Sequence, residues 1–79
     1  MKYNVWVEGY SATGQSAPAQ QLINPNSDSG MWEADSFKEA CKKALIGLKW
    51  DYLYYNEASN SYWACRFYDN EKDARIDFG

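Results

Sequence analysis

The sequence predicts a small α+β fold: a single mostly antiparallel sheet of about four strands, one main amphipathic helix on one face, and a short C-terminal helix. Three observations predict it. Residues 2–8 alternate between two faces, residues 36–48 carry an apolar stripe at helical spacing, and nine of the 14 aromatic residues lie from Trp50 onward. A chain of 79 residues is expected to form one domain, 1–79.

The N-terminal half predicts two or three strands. Residues 2–8 place Tyr3, Val5 and Val7 on one face of a strand that ends at Gly9. Residues 9–16 are small and polar and predict a loop. Residues 17–23 fit an edge strand that returns beside the first, with a short helix as the alternative, since Pro18 suits either.

A turn and a helix follow. Residues 24–30 combine residue types that favour turns, and residues 31–34 predict a short extended segment, with pairing to residues 20–23 as one option. Ser36 followed by Glu39 forms a capping box that starts a helix over 36–48, and Gly47 marks its end. The apolar stripe of this helix consists of Phe37, Ala40, Cys41, Ala44, Leu45 and Leu48.

The aromatic tract predicts a hairpin and a last helix. Residues 51–56 and 61–68 fit two strands, joined by a tight turn at 57–60. Alternation in the second strand places Trp63, Cys65 and Phe67 inward and Tyr62, Ala64, Arg66 and Tyr68 outward. Asp69 or Asn70 caps a short helix to about Asp77, docked by Ala74 and Phe78.

Composition limits the chemistry. The net charge is −3 with no basic run, which disfavours a dedicated nucleic-acid binder, and the chain lacks histidine, the commonest general base and zinc ligand. We identify no catalytic constellation, metal site or cofactor motif, so we expect a protein that is not an enzyme and needs no cofactor. No apolar segment is long enough to span a membrane and no secretory segment follows Met1, which predicts a cytosolic protein.

One string resembles a phosphate-binding loop. Residues 9–16 match the G-x-x-x-x-G-K-[ST] pattern except that Gln15 replaces the lysine that reaches the phosphates. Pro18 also lies where the following helix would run, so a small-residue turn is the favoured interpretation. An enzyme or small-ligand binder using this loop is the least favoured hypothesis.

Two other groups have structural explanations. Asp69, Glu71, Asp73 and Asp77 fit a capped, solvated helix better than a Ca²⁺ or Mg²⁺ site, and an acidic patch imitating a phosphate backbone is a further alternative. Cys41 and Cys65 are most simply buried free thiols, as a cytosolic protein favours, with a disulfide between them as the alternative if their backbones lie close.

The outward aromatic face is the main candidate site. Tyr52, Tyr54, Tyr62 and Tyr68 are expected to share it with Arg66. Three interpretations stay open: packing under other parts of the chain, contact with a protein partner, or stacking of nucleic-acid bases or sugars.

The run Trp-Ala-Cys-Arg-Phe-Tyr-Asp-Asn-Glu-Lys-Asp-Ala-Arg-Ile-Asp-Phe-Gly from Trp63, with Val-Trp-Val-Glu-Gly-Tyr-Ser-Ala-Thr-Gly near the N-terminus, resembles small uncharacterised proteins of bacteriophages and prophages. The resemblance implies a small acidic protein, anti-CRISPR-like in size and character, that binds and inhibits a host protein in the bacterial cytoplasm. The alternative is a single-stranded nucleic-acid binder. A monomer or a homodimer paired through residues 17–23 is expected. The expected partner-binding residues are Tyr52, Tyr54, Tyr62, Arg66, Tyr68, Tyr10 and Trp32.

Overall fold

The computed structural model describes residues 1–12, 15–63 and 65–75, and the α+β class is confirmed. The helices are α1, Phe37–Gly47, and α2, Glu71–Ala74, and a 3-10 helix spans Tyr52–Tyr54. The described strands are β1 Lys2–Tyr3, β2 Trp6–Val7, β3 Tyr10–Ala12, β4 Gln15–Ala17, β5 Gln20–Gln21, β6 Trp32–Glu33, β7 Tyr55–Asn56, β8 Ser61–Tyr62 and β9 Cys65–Tyr68.

The strands form more than the single sheet of about four strands that the sequence predicts. Five of them make one antiparallel sheet in the order β5-β2-β9-β8-β7. β1 pairs with β6, and β3 pairs with β4, each as a separate antiparallel pair. The prediction was too simple because two of the expected strands are each divided in two and the expected loop at 9–16 supplies a further strand pair.

The run 2–8 is the first of these split strands. It divides at Asn4 and Val5, so that β1 pairs with β6 while β2 lies between β5 and β9. The Val5 carbonyl accepts a hydrogen bond from the Leu22 N–H at 2.8 Å, which keeps the bend paired. The inward face is confirmed, because Val5 and Val7 are buried and Tyr3 packs on the same core.

Residues 17–23 contain the expected edge strand. β5 runs antiparallel to β2 at the edge of the five-stranded sheet, and Pro18 precedes it. Turns at 24–30 are also confirmed. The optional pairing of residues 31–34 with residues 20–23 is wrong, since β6 pairs with β1. The indole N–H of Trp32 donates to the Leu22 carbonyl at 2.7 Å. Pairing of residues 31–34 with residues 20–23 would need that carbonyl as a backbone acceptor.

The predicted loop at 9–16 is largely a hairpin instead. Ser11 pairs with Ser16 and Ala12 with Gln15, so two residues connect β3 to β4. Those two, Thr13 and Gly14, lie outside the described residues. A connection this short brings the flanking segments side by side, where their backbone groups can pair.

Helix α1 matches its prediction closely. The Ser36 Oγ accepts a hydrogen bond from the Glu39 N–H at 3.3 Å, which is the expected N-cap, and the Glu39 carboxylate pairs with Lys42. Four members of the predicted stripe are completely buried: Ala40, Cys41, Ala44 and Leu45. The predicted face is therefore the one that packs.

The end of α1 is a Schellman motif without glycine at its left-handed position. The Trp50 N–H donates to the Leu45 carbonyl at 2.9 Å, and the Lys49 N–H donates to the Ile46 carbonyl at 3.1 Å. The left-handed residue is Lys49, with φ 61°. Gly47 is the last helical residue but not the left-handed one. Position 47 favours glycine because a Cβ there would lie 2.7 Å from the Trp32 ring.

The core joins the apolar face of α1 to buried residues of β2, β6 and β9 and of the segments beside these strands. Partly buried Tyr55, Tyr62 and Cys65 from the C-terminal strands pack against it. Its buried members are Val5, Val7, Leu22, Trp32, Ala34, Ala40, Cys41, Ala44, Leu45 and Phe67. Both cysteines are free thiols, as expected, with Cys41 buried and Cys65 half-buried.

The aromatic tract differs most from its prediction. Residues 51–56 are a 3-10 turn followed by β7, rather than one strand. The Asp51 Oδ1 accepts a hydrogen bond from the Leu53 N–H at 3.0 Å, and such a local cap competes with extended backbone. The turn at 57–60 is confirmed, as is the hairpin, in which Tyr55 lies opposite Tyr62.

Residues 61–68 are the second split strand. They form β8 and β9, which pair with each other so that Tyr62 lies opposite Cys65. The connection consists of Trp63 and Ala64, of which Ala64 lies outside the described residues. A second hairpin therefore stands where one strand was expected.

Helix α2 begins at the second of its two predicted caps. The Asn70 Oδ1 accepts a hydrogen bond from the Asp73 N–H at 2.8 Å. Ala74 is completely buried, and α2 packs against β9 and β2. The predicted extension to Asp77 and the docking of Phe78 lie outside the described residues.

Candidate functional site

The structure separates the predicted site residues into exposed and covered groups. Tyr52 and Tyr54 are 42% and 46% exposed, and Arg66 is exposed as well. Tyr62 and Tyr68 are half-buried. The expected aromatic face is therefore only partly available to a partner.

Tyr62 was expected on the outward face, and that prediction was wrong. Directly opposed residues in an antiparallel pair lie on the same face of the sheet, and Tyr62 lies opposite both Cys65 and Tyr55. All three pack against the core. The connection at 63 and 64 reverses the chain, so continuous alternation does not describe this segment.

Trp32 is also unsuited to the role expected of it. It is 7% exposed, and its indole N–H is bonded to the Leu22 carbonyl. β6 pairs with β1 and lies beside α1, which covers the ring. The side chain of Tyr10 lies outside what the structure describes, and its backbone belongs to β3 rather than to a loop.

Four exposed apolar side chains form a different surface, which we call the aromatic corner: Tyr52, Leu53, Tyr54 and Trp63. Leu53 and Trp63 are 84% and 66% exposed. Tyr52 to Tyr54 form the 3-10 turn, and the Trp63 N–H donates to the Tyr54 carbonyl at 3.2 Å. The 3-10 turn and the β8–β9 connection are thus joined by their backbones.

Ring contacts connect the aromatic corner to the core. Trp63 and Tyr54 lie 4.6 Å apart between ring centroids, with an interplanar angle of 34°. Tyr54 meets Tyr62 edge-on at 6.3 Å, and Tyr62 meets Trp50 at 5.1 Å. Because each ring restrains the next, the exposed rings of Tyr54 and Trp63 are held in place.

The backbone of Trp63 adopts a conformation that disfavours its own side chain. Its φ is 53°, in the left-handed region that glycine and asparagine occupy most easily. A bulky residue there costs on the order of 1–2 kcal/mol. Strained residues of this kind cluster at functional sites.

The turn that supports the aromatic corner is pinned to α1. The Lys42 Nζ lies 2.7 Å from a carboxylate oxygen of Glu57. This hydrogen bond raises the pKa of Lys42 and lowers the pKa of Glu57. The Asn60 Nδ2 also donates to the Cys41 Sγ at 3.7 Å. The 57–60 turn therefore has two separate attachments to the helix.

A depression of about 560 Å³ opens beside the aromatic corner. On its polar side, the Asn56 Oδ1 accepts from the Ser59 N–H at 3.2 Å, and the hydroxyls of Ser59 and Ser61 lie 2.6 Å apart. Arg66 completes the lining. Within the described part of the chain, the lining consists of Tyr54, Asn56, Ser59, Ser61, Trp63 and Arg66.

The charge of Arg66 is offset by Glu8. The Arg66 backbone N–H donates to the Glu8 Oε1 at 3.0 Å, and its Nη2 lies 3.3 Å from the Oε2. Glu8 is buried and lies directly after β2. A buried carboxylate that accepts several hydrogen bonds holds the guanidinium in a defined position.

Both cysteine thiols and two of the tyrosine phenols have raised pKa values. Burial raises the pKa of the Cys41 thiol to about 11 and that of Tyr55 to about 12. Burial also raises the pKa values of Cys65 and Tyr62. Raised values keep these groups protonated at neutral pH, where the thiolate is the reactive form of cysteine.

The other two candidates from the sequence, the string at 9–16 and the acidic group, form no phosphate or metal site among the described residues. The string at 9–16 leads into β4 rather than a helix, so the helix N-terminus of a phosphate-binding loop is missing at Gln15–Ala17. Among the described residues, no group of three or more cysteine, aspartate or glutamate side chains is arranged to hold a metal ion. None of the helices in the described ranges is both long and apolar enough to cross a membrane.

Sequence reasoning missed Leu53, Trp63 and Asn56 as site residues. Alternation assigned Trp63 to the interior, and the 3-10 turn that exposes Leu53 was read as a strand. One signal was present: Asp51, two residues before Leu53, is a residue type that caps local turns. Nothing comparable marks the turn at Trp63 and Ala64, which lacks the usual glycine or asparagine.

Comparisons of the chain with protein-family models, with curated proteins and with solved structures give no match.

Proposed function

We propose that this protein is a non-enzymatic protein-binding module that docks through the aromatic corner. The observation that carries the proposal is Trp63, an exposed ring held in a strained backbone and stacked on Tyr54. Folding gains little from such an arrangement, whereas binding gains a rigid apolar anchor. Tryptophan, tyrosine and arginine are also the residue types enriched among binding hot spots.

The proposed surface has the anatomy of a small interface. Trp63 and Tyr54 are its exposed apolar groups, and polar groups line the same depression at Asn56, Ser59 and Arg66. An apolar centre with a polar rim is typical of protein interfaces. Preorganised rings reduce the entropy lost on binding, which favours affinity.

The resemblance to bacteriophage and prophage proteins supplies the biological setting of the proposal. In that setting the partner is a bacterial host protein, the module inhibits it, and both are in the host cytoplasm. The net charge of −3 suits a basic region on the partner. The module acts as a monomer or as a homodimer paired at β5, the exposed edge of the five-stranded sheet.

The alternative function is binding of single-stranded nucleic acid, since bases stack on paired rings such as Tyr54 and Trp63. Charge argues against it: the cation of the depression, Arg66, is paired with Glu8. A titration of oligo(dT) at falling salt concentration distinguishes the two functions. Binding that strengthens steeply at low salt supports the nucleic-acid alternative.

Affinity capture from host lysate tests the proposed function when variants are compared. Trp63→Ser removes the anchor, while Ile23→Ser removes an apolar side chain that is 55% exposed near β5, at the opposite edge of the sheet. We expect a stoichiometric partner with the wild type and with Ile23→Ser, and its loss with Trp63→Ser. Equal capture by all three proteins, each shown to be folded, contradicts docking at the aromatic corner.

A further inference from the structure

The depression beside the aromatic corner carries hydrogen-bond donors without partners. The Asn56 Oδ1 accepts from the Ser59 N–H, which fixes the side-chain amide so that its NH₂ group is the free end. Among the described residues, neither this NH₂ group nor the indole N–H of Trp63 has a hydrogen-bond acceptor. Both residues line the depression. Its ligand therefore needs acceptors.

The ligand is also expected to be uncharged. The lining residues that the structure describes include no carboxylate, and the guanidinium of Arg66 is compensated by Glu8 at 3.3 Å. A free anion would meet a cation that is already paired. The Tyr54 and Trp63 rings additionally require an apolar surface on the ligand.

Among segments of a protein partner, a polyproline II helix satisfies these requirements best. An α-helix uses its carbonyls internally, and an added β-strand needs a long free sheet edge, whereas β7 has two residues. A polyproline II segment has no internal hydrogen bonds, so every carbonyl is available. Proline lacks an N–H, so it places no unpaired donor against a lining that already supplies donors.

We propose that the depression binds a proline-rich segment of the protein partner in the polyproline II conformation. This rests on the proposed function, that the aromatic corner docks a protein. Proline rings pack against Tyr54 and Trp63, and segment carbonyls accept hydrogen bonds from the Trp63 indole and the Asn56 amide. A volume of about 560 Å³ is within the range of ligand clefts, about 300–1,000 Å³.

Calorimetric and NMR titration with a blocked decaproline peptide tests the proposal. We expect saturable binding, with the largest backbone amide shifts at Tyr54, Asn56 and Trp63. A blocked Gly-Ser decapeptide is the control; we expect it to bind at least tenfold more weakly, since a flexible chain must be ordered on binding. Failure of decaproline to bind, or tighter binding of oligo(dT), overturns the proposal.

Three variants test the contacts. Asn56→Asp keeps the acceptor for the Ser59 N–H but removes the NH₂ donors, and Trp63→Phe keeps a ring but removes the indole N–H. Each should lower decaproline affinity about five- to tenfold, which corresponds to one hydrogen bond. Ile23→Ser should leave affinity unchanged. Unaltered affinity in both folded donor variants contradicts the assigned hydrogen bonds.

The failures of the two proposals are distinguishable. If decaproline does not bind but Trp63→Ser still abolishes partner capture, the protein-binding function stands and the proline-rich partner is wrong. If decaproline does not bind and capture is insensitive to Trp63, both are wrong.

Discussion

Trp32 and Trp63 are the same residue type in opposite situations. Trp32 is 7% exposed, donates its indole N–H to the Leu22 carbonyl, and touches Gly47 so closely that no Cβ fits there. Trp63 is 66% exposed, has a left-handed φ of 53°, and stacks on Tyr54, which is itself exposed. One site surrounds its ring, and the other holds its ring out to solvent.

The difference teaches that aromatic content alone does not separate folding from binding. Around Trp32 the neighbours are shaped to the ring, which indicates a contribution to stability. Around Trp63 the backbone is strained, and glycine or asparagine would adopt its left-handed φ more easily. Substitutions at the two positions should therefore have effects of very different size on the free energy of unfolding.

The largest effect is expected at Trp32. Trp32→Ala should destabilise the fold by about 3–5 kcal/mol, because it leaves a cavity beside α1 and an unpaired Leu22 carbonyl. Trp32→Phe should cost less, since most of the ring volume stays. Urea denaturation measures both, and equal costs for the two variants would mean that ring volume is unimportant.

The next effect tests the contact between Trp32 and the helix. Gly47→Ala normally favours a helix, but here the added Cβ would lie 2.7 Å from the Trp32 ring. We expect destabilisation by about 1–3 kcal/mol, typical of overpacking. In a Trp32→Ala background the same substitution should stabilise, and a double-mutant cycle without coupling would contradict this contact.

High pH should weaken the core that contains Trp32. In the folded protein, the pKa of the Cys41 thiol is raised from 9.0 to about 11 and the pKa of the Tyr55 phenol from 10.0 to about 12. Above pH 9 the unfolded chain releases these protons first, so stability falls as pH rises from about 9 to about 12, with the Cys41 contribution between about 9 and 11. Cys41→Ala should flatten the decline in that range; an unchanged slope would remove Cys41 as its source.

A smaller effect calibrates the strain at Trp63. Lys49 is a second left-handed residue, with φ 61°, at a position where helices usually have glycine. Lys49→Gly should stabilise the protein by about 0.5–1 kcal/mol, as relief of a left-handed φ outweighs the added entropy of the unfolded chain. A rise in the thermal midpoint measures it, and a fall would mean that the lysine side chain contributes more than its backbone costs.

The elements with strong local signals could be predicted from the sequence. Helix α1 has a Ser36 cap and an apolar stripe, and both act within the helix itself, so its position was predicted closely. Edge strand β5 followed from Pro18, and the α2 cap at Asn70 was one of two predicted. In each case the residue type that decides the structure lies in the element it controls.

The candidate site could be predicted only in part because two local turns override alternation. The Asp51 cap converts an expected strand into a 3-10 turn and exposes Leu53. The turn at Trp63 reverses the chain and brings Tyr62 to the inner face. The turn connects the paired strands β8 and β9, but its own residues are not typical turn formers, so the local sequence does not predict it.

Denaturation of Trp63→Asn tests the central claim, that Trp63 serves binding rather than folding, most directly. Asparagine tolerates the left-handed backbone, so relief of strain should offset the lost stacking on Tyr54, and stability should stay within about 1 kcal/mol of the wild type. The folded variant should also fail to capture the partner. A loss of several kcal/mol, comparable to that of Trp32→Ala, would contradict the claim and make the aromatic corner part of what holds the fold together.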